Sequence, residues 1–177
     1  MENMKKMRLI MLAIVSVILA TGCGKKMNYA TDEPFIIVTS YSAGPEDVRN
    51  MFKRNVSVSE DGTLVLYTEP EEEIKLGDDA PMLEVELTKN EVAEIKNAIA
   101  KNKFWTMKEN LSDYNIQDGG YLYVTVNLVE ESKTVGGLNP NNERLNDIFH
   151  HVRRLIPKEA YRQWDEEITE HIFEMNP

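Results

Sequence analysis

An α+β domain, an antiparallel sheet built from hairpins with helices packed on one face, is predicted for this chain by three patterns. Short β-branched and aromatic segments recur between residues 35 and 88 and again between 121 and 138, divided by turn residues. Helical stripes run from Val92 to Ile99 and from Leu145 to Ile156, and a third continues to the C-terminus. The order of strands, helix, second hairpin and two closing helices is that of helices segregated to one side of a sheet.

The first strand is "FIIVTSY", 35–41, apolar on both alternating faces and so expected inside the sheet. "SAGPED" breaks it. "VRNMFKRNVSVS", 48–59, is ambiguous at its start and strand-like at its end, and "LVLYTE" is its partner across the turn "EDGT", where Asp61-Gly62 is a hairpin signal. "PEEEIKLGDDAP", 70–81, reads as an acidic loop. "MLEVELT", 82–88, alternates, with Leu83, Val85 and Leu87 on one face and Glu84 and Glu86 on the other.

Thr88 and Glu91 have the capping-box spacing, and Val92, Ile95 and Ile99 make the stripe of the helix they open. Phe104 and Trp105 should plug the core beneath its end, before the loop 109–120. "YLYVTVNLVEESKTVGGL", 121–138, is the second hairpin. Asn141 or Asn142 caps the next helix, lined by Leu145, Ile148, Phe149, Val152, Leu155 and Ile156. Pro157 ends it and opens the last one, lined by Tyr161, Trp164, Ile168, Ile172 and Met175.

The N-terminus has a different character. "MENMKKMR" is basic, and "LIMLAIVSVILA", 9–20, has only Ser16 as a polar residue. Twelve helical residues span about 18 Å, short of the roughly 30 Å hydrocarbon core, so the stretch suits a signal-peptide apolar region. Ala20, Thr21, Gly22 and Cys23 follow, and "LATGC" resembles the lipobox of bacterial lipoproteins, with Ala20 where that motif most often has Leu. The resemblance implies a diacylglyceryl group on the Cys23 thiol and cleavage just before it. Two acyl chains anchor a protein stably where one does not. The expected organisation is a signal peptide at 1–22, a lipidated flexible tether at 23–34 with a reach of about 20 Å, and one α+β domain at 35–177. The implied location is the extracytoplasmic face of the cell membrane.

Cys23 is the only cysteine, so the domain has no disulfide to rely on and must rest on its core. Without Lys5, Lys6, Arg8 and Glu2, the 20 basic and 30 acidic residues become 17 and 29, a net charge of −12. An acidic surface repels phosphate backbones, which argues against a nucleic-acid partner, and it is not drawn to anionic lipid. Membrane attachment falls to Cys23.

Candidate sites are few. His150 and His151 are adjacent, about 100° apart on a helix, and cannot jointly hold one ion; both are expected to face solvent. His171 flanks the last stripe and is expected to be half-buried. Glu69, Glu71, Glu72, Glu73, Asp78 and Asp79 lack the spacing that makes carboxylates converge on calcium. "DGG" (118–120) and "VGG" (135–137) match no phosphate loop and mark turns. No nucleophile motif is present, and neither a metal nor a cofactor is expected.

The second hairpin offers one surface. Leu122, Val124, Val126 and Leu128 share one face; Tyr121, Tyr123, Thr125 and Asn127 share the other. Tyrosine-bearing wet faces suit protein recognition, although a covered, partly buried face is the plainer expectation. The succession of a hairpin, "LTKNEVAEIKNAIAKNKFW", a loop, "DGGYLYVTVNLVEESKTVGG" and a closing helix resembles the layout of emfourin-type protein inhibitors of metalloproteases, the last helix being extra. That resemblance implies a binding module and assigns no inhibitory residue. The sequence therefore points to a membrane-anchored, non-enzymatic module that binds a protein or another envelope component. The alternative is an envelope enzyme or small-ligand carrier whose site is assembled from distant residues.

Overall fold

Ten elements follow one another in the computed structural model, which describes residues 27–43, 52–70, 80–115 and 119–175. They are β1 (Ile36–Ser42), β2 (Phe52–Val58), β3 (Thr63–Pro70), β4 (Leu83–Glu86), α1 (Lys89–Lys101), a 3-10 turn (Phe104–Thr106), β5 (Gly120–Asn127), β6 (Ser132–Leu138), α2 (Glu143–Arg153) and α3 (Lys158–Met175). The strands make one sheet in the order β4-β3-β2-β1-β5-β6, and every neighbouring pair is antiparallel. The fold is α+β.

β1 lies in the middle of the sheet, as its two apolar faces predict, between β2 and β5. Its register aligns Ile36 with Val58 and Val126, and Val38 with Val56 and Val124. This row continues through Leu64 and Leu66 of β3 and Val135 of β6, and these side chains are buried or nearly so. They form a single core with Val92, Ile95 and Ile99 of α1, Leu145, Ile148 and Val152 of α2, and Trp164 and Ile168 of α3. The apolar stripes of the helices are satisfied against one face of the sheet.

Local signals hold the elements in place. Gly62, at φ 101°, turns β2 into β3, and a Cβ there would stand 2.5 Å from the Leu87 carbonyl oxygen. The capping box at Thr88 is formed: its hydroxyl accepts from Glu91 N at 3.3 Å while the Glu91 carboxylate accepts from Thr88 N at 2.7 Å. Asn142, rather than Asn141, caps α2. Pro157 stands between α2 and α3, and its carbonyl accepts from Tyr161 N at 2.9 Å. α3 is held down by Trp164, whose Nε1 donates to the Pro81 carbonyl at 2.9 Å, and by the Arg54–Asp165 ion pair at 2.5 Å.

Both sheet edges are protected. β4 is four residues long, with Glu84 and Glu86 exposed. Beside β6, residues 109–113 run parallel to the strand; Leu111 N donates to Gly136 O and Asp113 N to Leu138 O, each at 2.8 Å.

One expected boundary moves. Residues 23–34 were predicted as tether, but from Met27 onward the chain is docked on the domain. Tyr29 and Ala30 are buried, Tyr29 bridges to Leu128, and Val129 N donates to Asn28 O at 3.0 Å. The charged and small residues of this stretch hide an apolar pair, Met27 and Tyr29, that sits against β5. Cys23 and the segment 1–26 lie outside the described residues, as do Glu71, Glu72, Glu73, Asp78 and Asp79 of the acidic loop.

Candidate functional site

Two features flank β5, a cluster of partly exposed tyrosines near its start and an open groove beyond its end. The first is built by strand pairing. Tyr121 faces Tyr41 across the β1–β5 ladder, and Tyr123 stands opposite Thr39, two residues along the same face. The Tyr41 and Tyr121 rings lie 4.6 Å apart at 16°, and Tyr123 is 6.3 Å from each, at 17° from Tyr41 and 6° from Tyr121. Three near-parallel rings thus stand together on the face turned away from the core. Lys53 Nζ lies 5.8 Å from the Tyr41 ring centre. Glycine makes the arrangement fit: a Cβ on Gly136, across from Tyr123, would stand 2.1 Å from Leu122 O and 2.8 Å from the Tyr123 ring. Tyr114, exposed on the strip that flanks β6, follows Asp113, whose N–H bonds the strand partner of Tyr121.

Of the four residues read from the hairpin, Tyr121 and Tyr123 are in this cluster. Thr125 is on the same face but is engaged with Thr134, hydroxyl to hydroxyl at 2.8 Å. Asn127 shares their parity without sharing their surface. It is only 5% exposed, its amide donates to Pro34 O at 2.8 Å, and its Oδ1 accepts from Ser132 at 2.6 Å. Its role is to hold the entry to β1 against the hairpin. The sequence places Tyr41 only on the central strand. No local signal pairs it with Tyr121, since strand register is a tertiary property. Nearby on this face, Asn55 is buried and its Oδ1 accepts from Thr39 at 2.6 Å, while burial, helped by the Glu69 charge, raises the Tyr67 phenol.

The second place is an open groove of about 840 Å³ at the other end of β5. Ile99, Phe104 and Leu128 form its floor, and Met27, Trp105 and Val129 stand around it. Phe104 plugs the core, as expected; Trp105 packs against that core but is only partly buried, lining the groove, and its Nε1 donates to Met27 Sδ at 3.2 Å. Lys133 Nζ fixes this wall by donating to the carbonyls of Trp105, at 2.9 Å, and Met107, at 2.7 Å. Opposite, Lys96 pairs with Glu60 at 2.5 Å and lies 5.1 Å from the ring centres of both Tyr29 and Phe35. Burial, together with the Glu60 charge, pushes the Tyr29 phenol up to about 12. Of the polar side chains that line the groove, Lys96 is paired with Glu60 and Thr106 donates to the Lys103 carbonyl at 2.8 Å.

The histidines divide. His150 is exposed, as expected. His151 is not free in solvent: its Nδ1–H donates to the Asp147 carbonyl at 2.8 Å and lies 3.6 Å from the Asp147 carboxylate. The Asp147/His151 pair has the i, i+4 spacing of helix neighbours, a local signal that the sequence reading missed. Asp147 joins α2 to α1 by accepting from Asn102 Nδ2 at 2.7 Å, a bond that does most to hold its carboxyl below the ordinary range. His171 is half-buried, as expected. Among the described residues no group of three or more His, Cys, Asp or Glu could hold a metal ion, and no helix is long and apolar enough to cross a membrane.

Comparison with known proteins finds no family model that matches this chain and no curated protein that matches it. The functional reading rests on the chain's own residues.

Proposed function

We propose that this protein is a lipid-anchored, extracytoplasmic interaction module, held at the membrane through Cys23 and engaging a protein partner of the cell envelope through Tyr41, Tyr121 and Tyr123. The observation that carries the reading is the tyrosine cluster: three near-parallel, partly exposed rings on the sheet face opposite the helices. Tyrosine supplies large contact area with few side-chain torsions to freeze, which is why it is enriched where proteins recognise one another. The position of the cluster supports the reading. Seven residue steps along β5 and its extension separate Tyr121 from Leu128, about 23 Å of strand. The chain leaves toward Cys23 from beside Leu128, so an anchor there points the tyrosines away from the bilayer.

The test is capture from crosslinked membranes with wild type and with Tyr121→Ala/Tyr123→Ala. The variant should keep its thermal unfolding profile and lose specific partners. Identical partner profiles would remove the proposed surface. Cys23→Ser should abolish lipid labelling and release the protein from membranes; an unlabelled but membrane-retained wild type would overturn the anchor.

A further inference from the structure

The groove lies where a lipid anchor would place it against the bilayer, and this second reading rests on lipidation of Cys23. Four residue steps join Cys23 to Met27, and a chain extends at most about 3.6 Å per residue, so the Met27 Cα is held within about 14 Å of the Cα of the lipidated Cys23. Met27 cannot swing away from the domain: the next residues are hydrogen-bonded to Asn127 and Val129, and its sulfur accepts from Trp105. The end of the domain that carries the groove is therefore the end nearest the membrane.

The side chains there suit that position. Val129, 58% exposed at the tip of the β5–β6 hairpin, is one of the few exposed large apolar side chains among the described residues. Trp105 presents an apolar ring with a polar edge, the amphipathic character that concentrates tryptophan at membrane interfaces. Between them the groove has an apolar floor. The charges around it do not favour one sign: Lys103 is exposed on one side, Glu130 and Glu131 on the other, and Lys96 is paired with Glu60. Attraction to anionic headgroups is not what would bring this face down. The tether brings it down, and the apolar groups keep it there.

We propose that this end of the domain is a membrane-contact surface, with Trp105, Val129 and Met27 seated in the interfacial layer of the bilayer that holds the anchor and the groove between them occupied by phospholipid. The contact fixes the orientation of the domain, so that the tyrosine cluster is presented outward and does not sweep the membrane surface.

Tryptophan fluorescence tests it directly. The chain has two tryptophans, and Trp164 is buried in the core at 2% exposure, so bilayer quenching reports on Trp105. Full-length lipoprotein would be purified from membranes, its Cys23 modification checked by mass, and the protein reconstituted into phosphatidylcholine vesicles with and without brominated acyl chains. Brominated lipid should quench wild-type emission, and Trp105→Phe should lose that quenching. Val129→Asp, an exposed change, should weaken it while leaving the unfolding profile intact. The quenching should be unchanged by raised salt and should not grow when phosphatidylglycerol is added. Lipidated, vesicle-bound protein whose emission is indifferent to brominated lipid would overturn the contact surface and leave the anchor standing. Protein with an unmodified Cys23 would overturn both.

Discussion

Asn102 ties α1 to α2, and its removal should be felt in a pH-dependent way. The side chain is only 8% exposed; Nδ2 donates to Ala98 O at 2.9 Å and to the Asp147 carboxylate at 2.7 Å, while the Asn102 carbonyl accepts from Arg144 Nε at 2.6 Å. Asn102→Ala deletes the two amide bonds and keeps the carbonyl. A hydrogen bond to a charged group contributes about 1.5–3 kcal/mol, but the Asp147 side chain is 35% exposed and solvent screens part of this. About 1–2 kcal/mol is expected near neutral pH. For a domain of this size each kcal/mol moves the midpoint by about 2–4 °C, so the melting temperature should fall by about 2–8 °C.

The sign with pH follows from Asp147. Its carboxyl is held below the ordinary 3.8, first by the Asn102 amide and then by the charges of Lys101 and His151. A depressed carboxyl contributes stability that is present in full above its unfolded value and is lost as pH falls through the folded value. The deficit of Asn102→Ala should therefore be constant from neutral pH down to about pH 5 and shrink as Asp147 takes up its proton. Asn102→Asp sets a second carboxylate against the first, so it should be the less stable variant at pH 7 and recover on acidification. Urea unfolding followed by circular dichroism across this range measures both. An Asn102→Ala deficit that persists undiminished once Asp147 is protonated would refute the assignment of Asp147 as the partner that matters.

Two further substitutions probe the scaffold. Gly136→Ala forces a Cβ onto the Leu122 carbonyl and the Tyr123 ring, and overpacking of this kind costs about 1–3 kcal/mol. Its melting temperature should drop and its near-ultraviolet tyrosine dichroism should change; an unaltered signal at unaltered stability would mean that the close approach does not position Tyr123. Thr88→Ala removes one half of the capping box at the start of α1 and should cost about 1 kcal/mol by urea unfolding, whereas Thr88→Ser should be nearly neutral.

What the sequence disclosed depended on whether the determining interaction was local. The turn at Gly62, the capping box at Thr88, the stripe from Val92 to Ile99 and the break at Pro157 are each decided by residues within a turn of one another, and each was legible. The alternation of Tyr121 to Asn127 was also legible, yet it could not say that Asn127 would be buried by the entry to β1, or that Tyr41 would arrive beside Tyr121. Both depend on pairing residues 80 and 93 positions apart, whose register no local pattern encodes. Met27 and Tyr29 were missed for a related reason. Two apolar residues in a polar stretch carry little signal alone, and their docking is fixed by Leu128, Phe35 and Trp105, all supplied by other parts of the chain. Asp147 and His151 were the reverse case, a local pair whose spacing was present to be read.

The two proposed surfaces are mechanically linked through β5. The strand carries Tyr121 and Tyr123 near its start and leads to Leu128, against which the N-terminal strap is bridged. It is flanked on both sides by strand partners, β1 and β6, so its length is rigid. A contact that immobilises the strap end therefore fixes where the tyrosines stand, without any hinge between them. This arrangement also gives the acidic composition a place. With a net charge of −12 beyond residue 22, the domain has no general electrostatic attraction for an anionic membrane. On the proposed reading, a short tether and a small apolar footprint set the orientation without charge attraction, and the tyrosine face is turned away from the bilayer.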